Sequence, residues 1–438
     1  MNLSYRYVPF IIFLFVLIGC QSESALPTRV PVLSRPEEVA VVEDAVAETA
    51  VSINIPGTFT PPPDVTIDPA LNFGDNSPLG PSVTPSITPI LPTSTPYIAA
   101  GPPTRTRIAT RTPTPLPTPT GSAPIAPAPN PINSQFPVIT GSKLSIHVIR
   151  NNDKGIMDFV RFAQPSTLKV VDDLGFTSEV RKASPNTIIV GRVNQFDQNY
   201  EGNPEAAARA YVQRHLTRYL LNSEVDFWEG WNEPDPNLEN MDWYARFEQE
   251  RVREMARYGL KTAIGGFATG TPEVNEFALF VPAVETALQY GGILTLHEYG
   301  APEINFLYGG ALPGYPPYPD RGALTFRYRW FYRELLEPAG LVIPLVVTEA
   351  GLDGIIGNRP GPDGYGWQDF SEYGVARGWG NTGSEAFMAQ LAWYDRGVRQ
   401  DSYVLGFTVF TAGPVGHWHN YDIGPLLPMM TDYVINQR

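Results

Sequence analysis

Residues 228–236 read Trp-Glu-Gly-Trp-Asn-Glu-Pro-Asp-Pro (WEGWNEPDP). Two carboxylates, Glu229 and Glu233, sit four residues apart in an aromatic, strand-like run, with Asn232 before the second and Pro234 after it. An unpaired charge inside an apolar segment is costly. Each glutamate therefore has a partner, a role at a surface, or both. Glu233 taken alone is equally compatible with a solvated residue opening a turn at Pro234. The pattern around the stretch has to decide.

Working outward, short β-rich apolar runs alternate with longer helical ones from residue 143 onward. The predicted strands are Leu144–Ile149, Leu168–Val171, Thr187–Val190, Val225–Trp231, Thr262–Phe267, Ile293–His297, Leu345–Thr348 and Val404–Phe410. Between them lie predicted helices at Pro204–Leu221, Trp243–Tyr258, Val274–Tyr290, Leu324–Leu336 and Glu385–Arg399, the first with Asn203 as N-cap and Pro204 at its first position. Eight strands alternating with helices over roughly 300 residues predict a (β/α)8 TIM barrel. A doubly wound open sheet is the competitor, but no glycine-rich dinucleotide fingerprint follows the first strand. A barrel carries its chemistry at the C-terminal ends of the strands.

WEGWNEPDP then lies at the end of strand four, and Val346-Val347-Thr348-Glu349-Ala350-Gly351 at the end of strand seven. Each puts a glutamate at a strand end, and in a barrel these two ends face each other across the mouth. Glu349 alone would read as a capping carboxylate near Gly351. Two opposed carboxylates are what hydrolysis of a glycosidic bond needs, and a separation of about 5 Å implies retention of configuration. One must hold its proton and the other stay ionised, so their environments must differ. Strand alternation puts Glu229 on the face of Trp231 and Glu233 but deeper, with Lys169 and Arg192 as candidate cationic partners.

The Trp-Asn-Glu-Pro motif after strand four and the Thr-Glu-Ala-Gly motif after strand seven resemble glycoside hydrolase clan A. The likeness covers the strand order of residues 143–435, with motif identity confined to short stretches. It implies a retaining double displacement on an extracellular polysaccharide or oligosaccharide, with Glu233 as general acid/base, Glu349 as nucleophile, and Asn232 on the sugar 2-hydroxyl. His297 and Tyr299, at the end of strand six, are candidates to hydrogen-bond Glu349, and Trp231 and Trp418 are further candidate substrate contacts. The clan's frequent Trp after strand eight is replaced by Thr411 and Ala412, and its Arg near strand two is missing. Trp418 and Arg192 are the candidate substitutes. Loops 306–322 and 357–383 carry Tyr308, Tyr315, Tyr318, Trp367, Tyr373 and Trp379, which suit either stacking on sugars or packing over the mouth. No cofactor and no metal is expected. A zinc hydrolase built on His297, His417 and His419 is the metal-dependent alternative, with His147 the only histidine on strand one. A carbohydrate-binding surface protein without turnover is the other alternative.

The first 138 residues differ in kind. Of the 45 prolines, 26 precede residue 140. Arg6 followed by the apolar run Phe10–Ile18, ending in Leu17-Ile18-Gly19-Cys20, resembles the signal and lipobox of a bacterial lipoprotein. Cys20 is the sole cysteine, so no intrachain disulfide is possible. The expected organisation is a signal peptide over 1–19, a disordered Pro/Thr/Ser-rich linker over 20–138, and a catalytic domain over 139–438. That implies export, anchorage by lipid at Cys20 to the outer face of a membrane, and a monomer. The net charge of −14 argues against a nucleic-acid partner.

Overall fold

A computed structural model describes residues 139–195 and 198–438. The signal, Cys20 and linker readings fall outside the described residues. Eight parallel strands close into a barrel in chain order: β1 (Leu144–Val148), β2 (Thr167–Val171), β3 (Ile188–Arg192), β4 (Phe227–Glu229), β5 (Thr262–Phe267), β6 (Ile293–Gly300), β7 (Leu345–Leu352) and β8 (Val404–Ala412). The closing pair is β1 with β8. Helices α1 (Lys154–Ala163), α2 (Thr177–Ala183), α3 (Pro204–Leu221), α4 (Leu238–Ala256) and α5 (Val274–Gln289) follow the first five strands. After β6 comes α6 (Tyr328–Phe331), which runs on as a π-helical turn, Tyr332–Leu336. After β7 come α7 (Ser371–Ala376) and α8 (Gly383–Val398), and α9 (Leu427–Asn436) closes the chain. The predicted (β/α)8 barrel is the observed fold.

Local chemistry explains the boundaries. Asn203 Oδ1 accepts from Ala206 N at 2.7 Å, and Pro204 occupies the first turn of α3, where its missing N–H costs nothing. Helix α4 starts at Leu238, five residues before the predicted start, because Asn237 Oδ1 accepts from both Glu239 N and Asn240 N. Strand β4 is the large departure: three residues long against a predicted seven. Strands β6 and β7 run longer than predicted, so Tyr299 and Glu349 stand inside strands.

The barrel interior is layered. At its lower end Ile188, Val190, Phe227, Ala263, Ile293, Val346 and Leu405 form an apolar plug. Above it the interior turns polar. Lys169, Glu229, Thr295 and Thr348 are all buried there, and Glu349, His297 and Arg192 lie at the upper rim. The outward faces of the strands pack on the helices in one large core. Among the described residues, no helix is long and apolar enough to cross a membrane.

Candidate active site

The site is built where β4 stops being a strand. Pairing with β5 reaches only Glu229, opposite Ala263. Glu229 points inward onto the buried Lys169 ammonium, accepts from Thr348 Oγ1 at 2.6 Å, and lies 3.7 Å from Arg192 Nη1. Both candidate cationic partners are therefore met. Gly230 follows because no side chain fits. A Cβ there would stand 2.8 Å from Glu248 Oε1 and 3.0 Å from Arg251 Nε. That buried ion pair ties α4 to the barrel: Arg251 donates to Trp228 O at 3.0 Å and to Ala263 O at 2.8 Å.

Past Gly230 the alternation fails, and the expected substrate contact at Trp231 is corrected. Trp231 turns outward and is buried against α4, stacked on Trp243 at 5.7 Å and Tyr244 at 5.6 Å. It does not share a face with Glu229 and Glu233, because the chain leaves strand geometry. Glu233 adopts φ +46°, a left-handed conformation uncommon for a residue with a Cβ. Its N–H donates to Gly266 O at 2.9 Å. Gly265 and Gly266 have φ +98° and +62°, where β5 bulges, so two glycines let the neighbouring strand accommodate the turn.

Glu349 is placed by a second irregularity. The β6–β7 register pairs Leu296 with Val347 but His297 with Glu349, leaving Thr348 extra. The bulge allows two consecutive residues to face the interior: Thr348 reaches Glu229, and Glu349 reaches the mouth. Glu349 is buried and fully engaged. Oε1 accepts from Arg192 Nη1 at 3.1 Å and lies 3.6 Å from His147 Nε2. Oε2 accepts from Tyr299 OH at 2.9 Å and lies 3.5 Å from His297 Nδ1. Burial alone would raise its pKa. The neighbouring groups, His297 and Arg192 foremost, overcome burial and hold the carboxyl well below the usual range. Burial pushes Tyr299 well above its ordinary value, so it remains a donor. Burial likewise pushes His147 well below its ordinary value; its ring is neutral, with Nδ1 2.9 Å from Thr411 Oγ1.

Glu233 is 40% exposed at its side chain, against 7% for Glu349. His297 Nδ1 stands 2.8 Å from Glu233 Oε1, so one imidazole lies between the two carboxylates. Carboxylate oxygens of Glu233 and Glu349 lie within 4.8 Å of each other. These two with His297 form a trio whose atoms could reach one metal ion. Against that use, Arg192 and Tyr299 already occupy both oxygens of Glu349 with donors. His417 and His419, the other members of the zinc alternative, are exposed on the turn at Gly416–Tyr421 and do not join the trio.

Asn232 is half-buried beside Glu233. Its backbone oxygen accepts from Gln198 Nε2 at 2.7 Å, while its Oδ1 is buried and has no partner among the described residues. Trp418 is half-buried and packs edge-on against Phe410 at 5.2 Å. The aromatic residue at the end of β8 is Phe410, 4.8 Å from His147 and 6.3 Å from Tyr299 between ring centroids. The sequence reading looked one residue too far, at Thr411, because it ended the strand at Phe410, whereas β8 runs on to Ala412. It also left His147, Thr348, Asp353 and Tyr421 without roles. The alternation Ser145–His147 on β1 is the signal that could have placed His147 inside. The aromatic residues of the long loops mostly pack on α6, α8 and the segment before α6: Tyr308 on Phe326 and Trp393, Tyr315 and Tyr318 on Trp330, Trp367 on Phe387.

No protein-family model matches the chain, and no curated protein matches it. Solved structures do. A family 39 glycoside hydrolase from the gut symbiont Bacteroides cellulosilyticus WH2 is 13% identical with a TM-score of 0.45, the match covering 68% of this chain and 64% of that one. This chain thus spans less than two thirds of that protein's length. The endo-beta-1,4-glucanase Xac0029 from Xanthomonas axonopodis pv. citri is 12% identical, covering 68% and 98%, with a TM-score of 0.38. A GH5 xyloglucan-specific endo-beta-1,4-glucanase from a metagenomic library, solved with cellotriose, is 14% identical, covering 66% and 88%, with a TM-score of 0.39.

Proposed function

We propose that the chain is a retaining glycoside hydrolase acting by double displacement on an extracellular polysaccharide or oligosaccharide. The observation that carries this reading is the opposed pair itself. Oxygens of Glu233 and Glu349 come within 4.8 Å across the barrel mouth, one carboxylate buried and held by donors, the other open to the cleft. A short separation suits nucleophile and acid on opposite sides of one bond, without room for an intervening water.

In this reading an ionised Glu349 oxygen attacks the anomeric carbon as the bond from that carbon to the leaving oxygen breaks. Glu233 gives its proton to the leaving oxygen. Glu233, now a carboxylate, removes a proton from water, whose oxygen attacks the same carbon. Glu349 departs as a carboxylate, and Glu233 regains its proton. Arg192 and Tyr299 fix the aim of Glu349 and keep it charged. Asn232, half-buried beside Glu233, is in this reading the residue that meets a sugar hydroxyl. The residues before the barrel complete the proposal as a lipid anchor at Cys20 and a spacer, placing a monomeric enzyme on the outer face of a membrane.

The test is a screen of p-nitrophenyl glycosides and polysaccharides, followed by product stereochemistry by proton NMR. Hydrolysis with retention, lost in both Glu233→Gln and Glu349→Gln, supports the reading. Inversion would overturn the mechanism. Glycan binding without turnover on any substrate would convert the reading to a binding protein.

A further inference from the structure

Past the end of β7, four residues beyond Glu349, stands a third carboxyl that the proposed reaction does not use. Asp353 N donates to Gly300 O at 3.0 Å, which pins the residue to the end of β6. Its Oδ1 accepts twice, from Tyr421 OH at 2.8 Å and from Ile355 N at 3.1 Å. Its Oδ2 accepts no hydrogen bond from the described residues. The side chain is half-buried, so it is oriented by fixed donors and still reachable.

An unbroken aromatic row joins this carboxyl to Glu349. Tyr299, which donates to Glu349, packs edge-on against Phe410 at 6.3 Å. Phe410 meets Trp418 at 5.2 Å and Tyr421 at 5.4 Å, and Trp418 meets Tyr421 at 5.3 Å. Tyr421 then holds Asp353. Burial pushes Asp353 up to about 6, and the nearby charges of Glu233 and Glu349 add to the rise. Tyr299, Phe410 and Tyr421 are buried against one another, and Trp418 is the half-buried ring of the row. An open indole beside an acceptor carboxylate whose Oδ2 is free among the described residues matches a sugar ring, which offers a C–H face and, at its rim, hydroxyl donors.

We propose that Asp353 is a specificity-determining residue whose Oδ2 accepts a hydrogen bond from one ring hydroxyl of a sugar lying against Trp418. The inference rests on the glycosidase reading. It assigns a substrate class: neutral sugars, with uronic acids rejected because a third carboxylate would face the two already in the site and the one on the substrate.

The experiment uses the full chain and the p-nitrophenyl glycoside it cleaves best. Wild type, Asp353→Asn and Tyr421→Phe are compared on that glycoside, on its monodeoxy analogues and on the matching uronide. Asp353→Asn is expected to lower kcat/KM on the parent by roughly 10- to 150-fold, the size of one hydrogen bond to a charged group. On a single deoxy analogue, wild type should fall by a similar factor and Asp353→Asn should fall no further. The uronide should gain relative to the parent in Asp353→Asn. Tyr421→Phe keeps the carboxylate but frees its orientation, so a smaller loss with the same single-position pattern is expected; it serves if Asp353→Asn does not fold. A loss equal across all analogues, or no loss, overturns the inference while leaving the glycosidase reading intact. Failure of the wild type to cleave any glycoside overturns both.

Discussion

Replacing Glu229 by Gln tests the polar layer under the site. The amide keeps the shape and can still accept from Thr348 Oγ1, which now reaches Oε1 at 2.6 Å. What disappears is the negative charge on the Lys169 ammonium, whose side chain is 0% exposed. Removing one member of a buried ion pair costs about 3–5 kcal/mol. An independent route gives a similar figure. The stranded Lys169 can shed its proton, and bringing an ordinary lysine pKa of about 10.4 down to pH 7 costs about 1.4 kcal/mol per unit, or roughly 5 kcal/mol. That route carries a signature. If Lys169 is neutral in the folded variant and charged when unfolded, the penalty shrinks as pH rises, by about 1.4 kcal/mol per unit. Urea unfolding followed by tryptophan fluorescence at pH 7 and pH 9 measures both quantities. Adding Lys169→Met should recover most of the loss, since an apolar pair of similar volume is often no less stable than the ions. A loss under about 1 kcal/mol at pH 7, or an equal loss at both pH values, would refute the reasoning.

Three further outcomes follow from the same geometry. Glu349 is ionised well below the usual carboxylate range, so its stabilising charge interactions are present above the unfolded pKa near 4.5 and vanish only as pH falls through the depressed value; hydrolysis should keep its acid side flat down to about pH 4, and Arg192→Met should move that limb upward in a pH–rate profile. Gly230→Ala should lose about 2–4 kcal/mol in denaturant titration, because its Cβ would press on the Glu248–Arg251 pair, whereas Gly357→Ala, which meets nothing within 4 Å, should stay within about 0.5 kcal/mol of wild type. Burial raises Glu298 to about 7, against the backbone N–H donors of Phe326 and Tyr328; the protonated form is favoured in the fold, so its contribution is complete below about 4.5 and lost as pH rises through about 7, and Glu298→Gln should flatten that part of the melting-temperature profile.

What could be read from the sequence was whatever repeats or pairs. Eight β-rich runs separated by helical ones were enough for the barrel, and Glu233 with Glu349 were visible because each sits beside recognisable residues at a strand end. Lys169 and Arg192 could be named as partners of Glu229 because a buried carboxylate needs a cation and few were on offer. What escaped was set by departures from period two. The bulge at Thr348 puts consecutive residues on one face, so no alternation rule could place both. Phe410 was passed over because the predicted strand ended on it and the aromatic was sought in the residues after, while β8 runs on to Ala412. Asp353 and Tyr421 lie 68 residues apart and meet only through the closed barrel.

The stretch 228–236 shows why such a departure belongs at the site. As a regular strand it would carry Glu229, Trp231 and Glu233 on one inward face, and an indole would fill the mouth between the carboxylates. It would also carry Glu233 upward by about 3.3 Å per residue, away from the polar layer. Ending the strand at Glu229 removes both problems. Gly230 admits the Glu248–Arg251 pair, Trp231 rotates out to the aromatic side of α4, and the left-handed turn at Glu233 swings its carboxyl to within 4.8 Å of an oxygen of Glu349. A left-handed non-glycine residue costs on the order of 1–3 kcal/mol, and it persists only where its surroundings over-determine it. Here the bond from Glu233 N to Gly266 O and the buried stack on Trp231 do so. Helix α4 therefore supports the position of Glu233 through Trp231. It holds the indole that the turn displaces, so Trp243→Ala is expected to loosen the turn that brings Glu233 to Glu349.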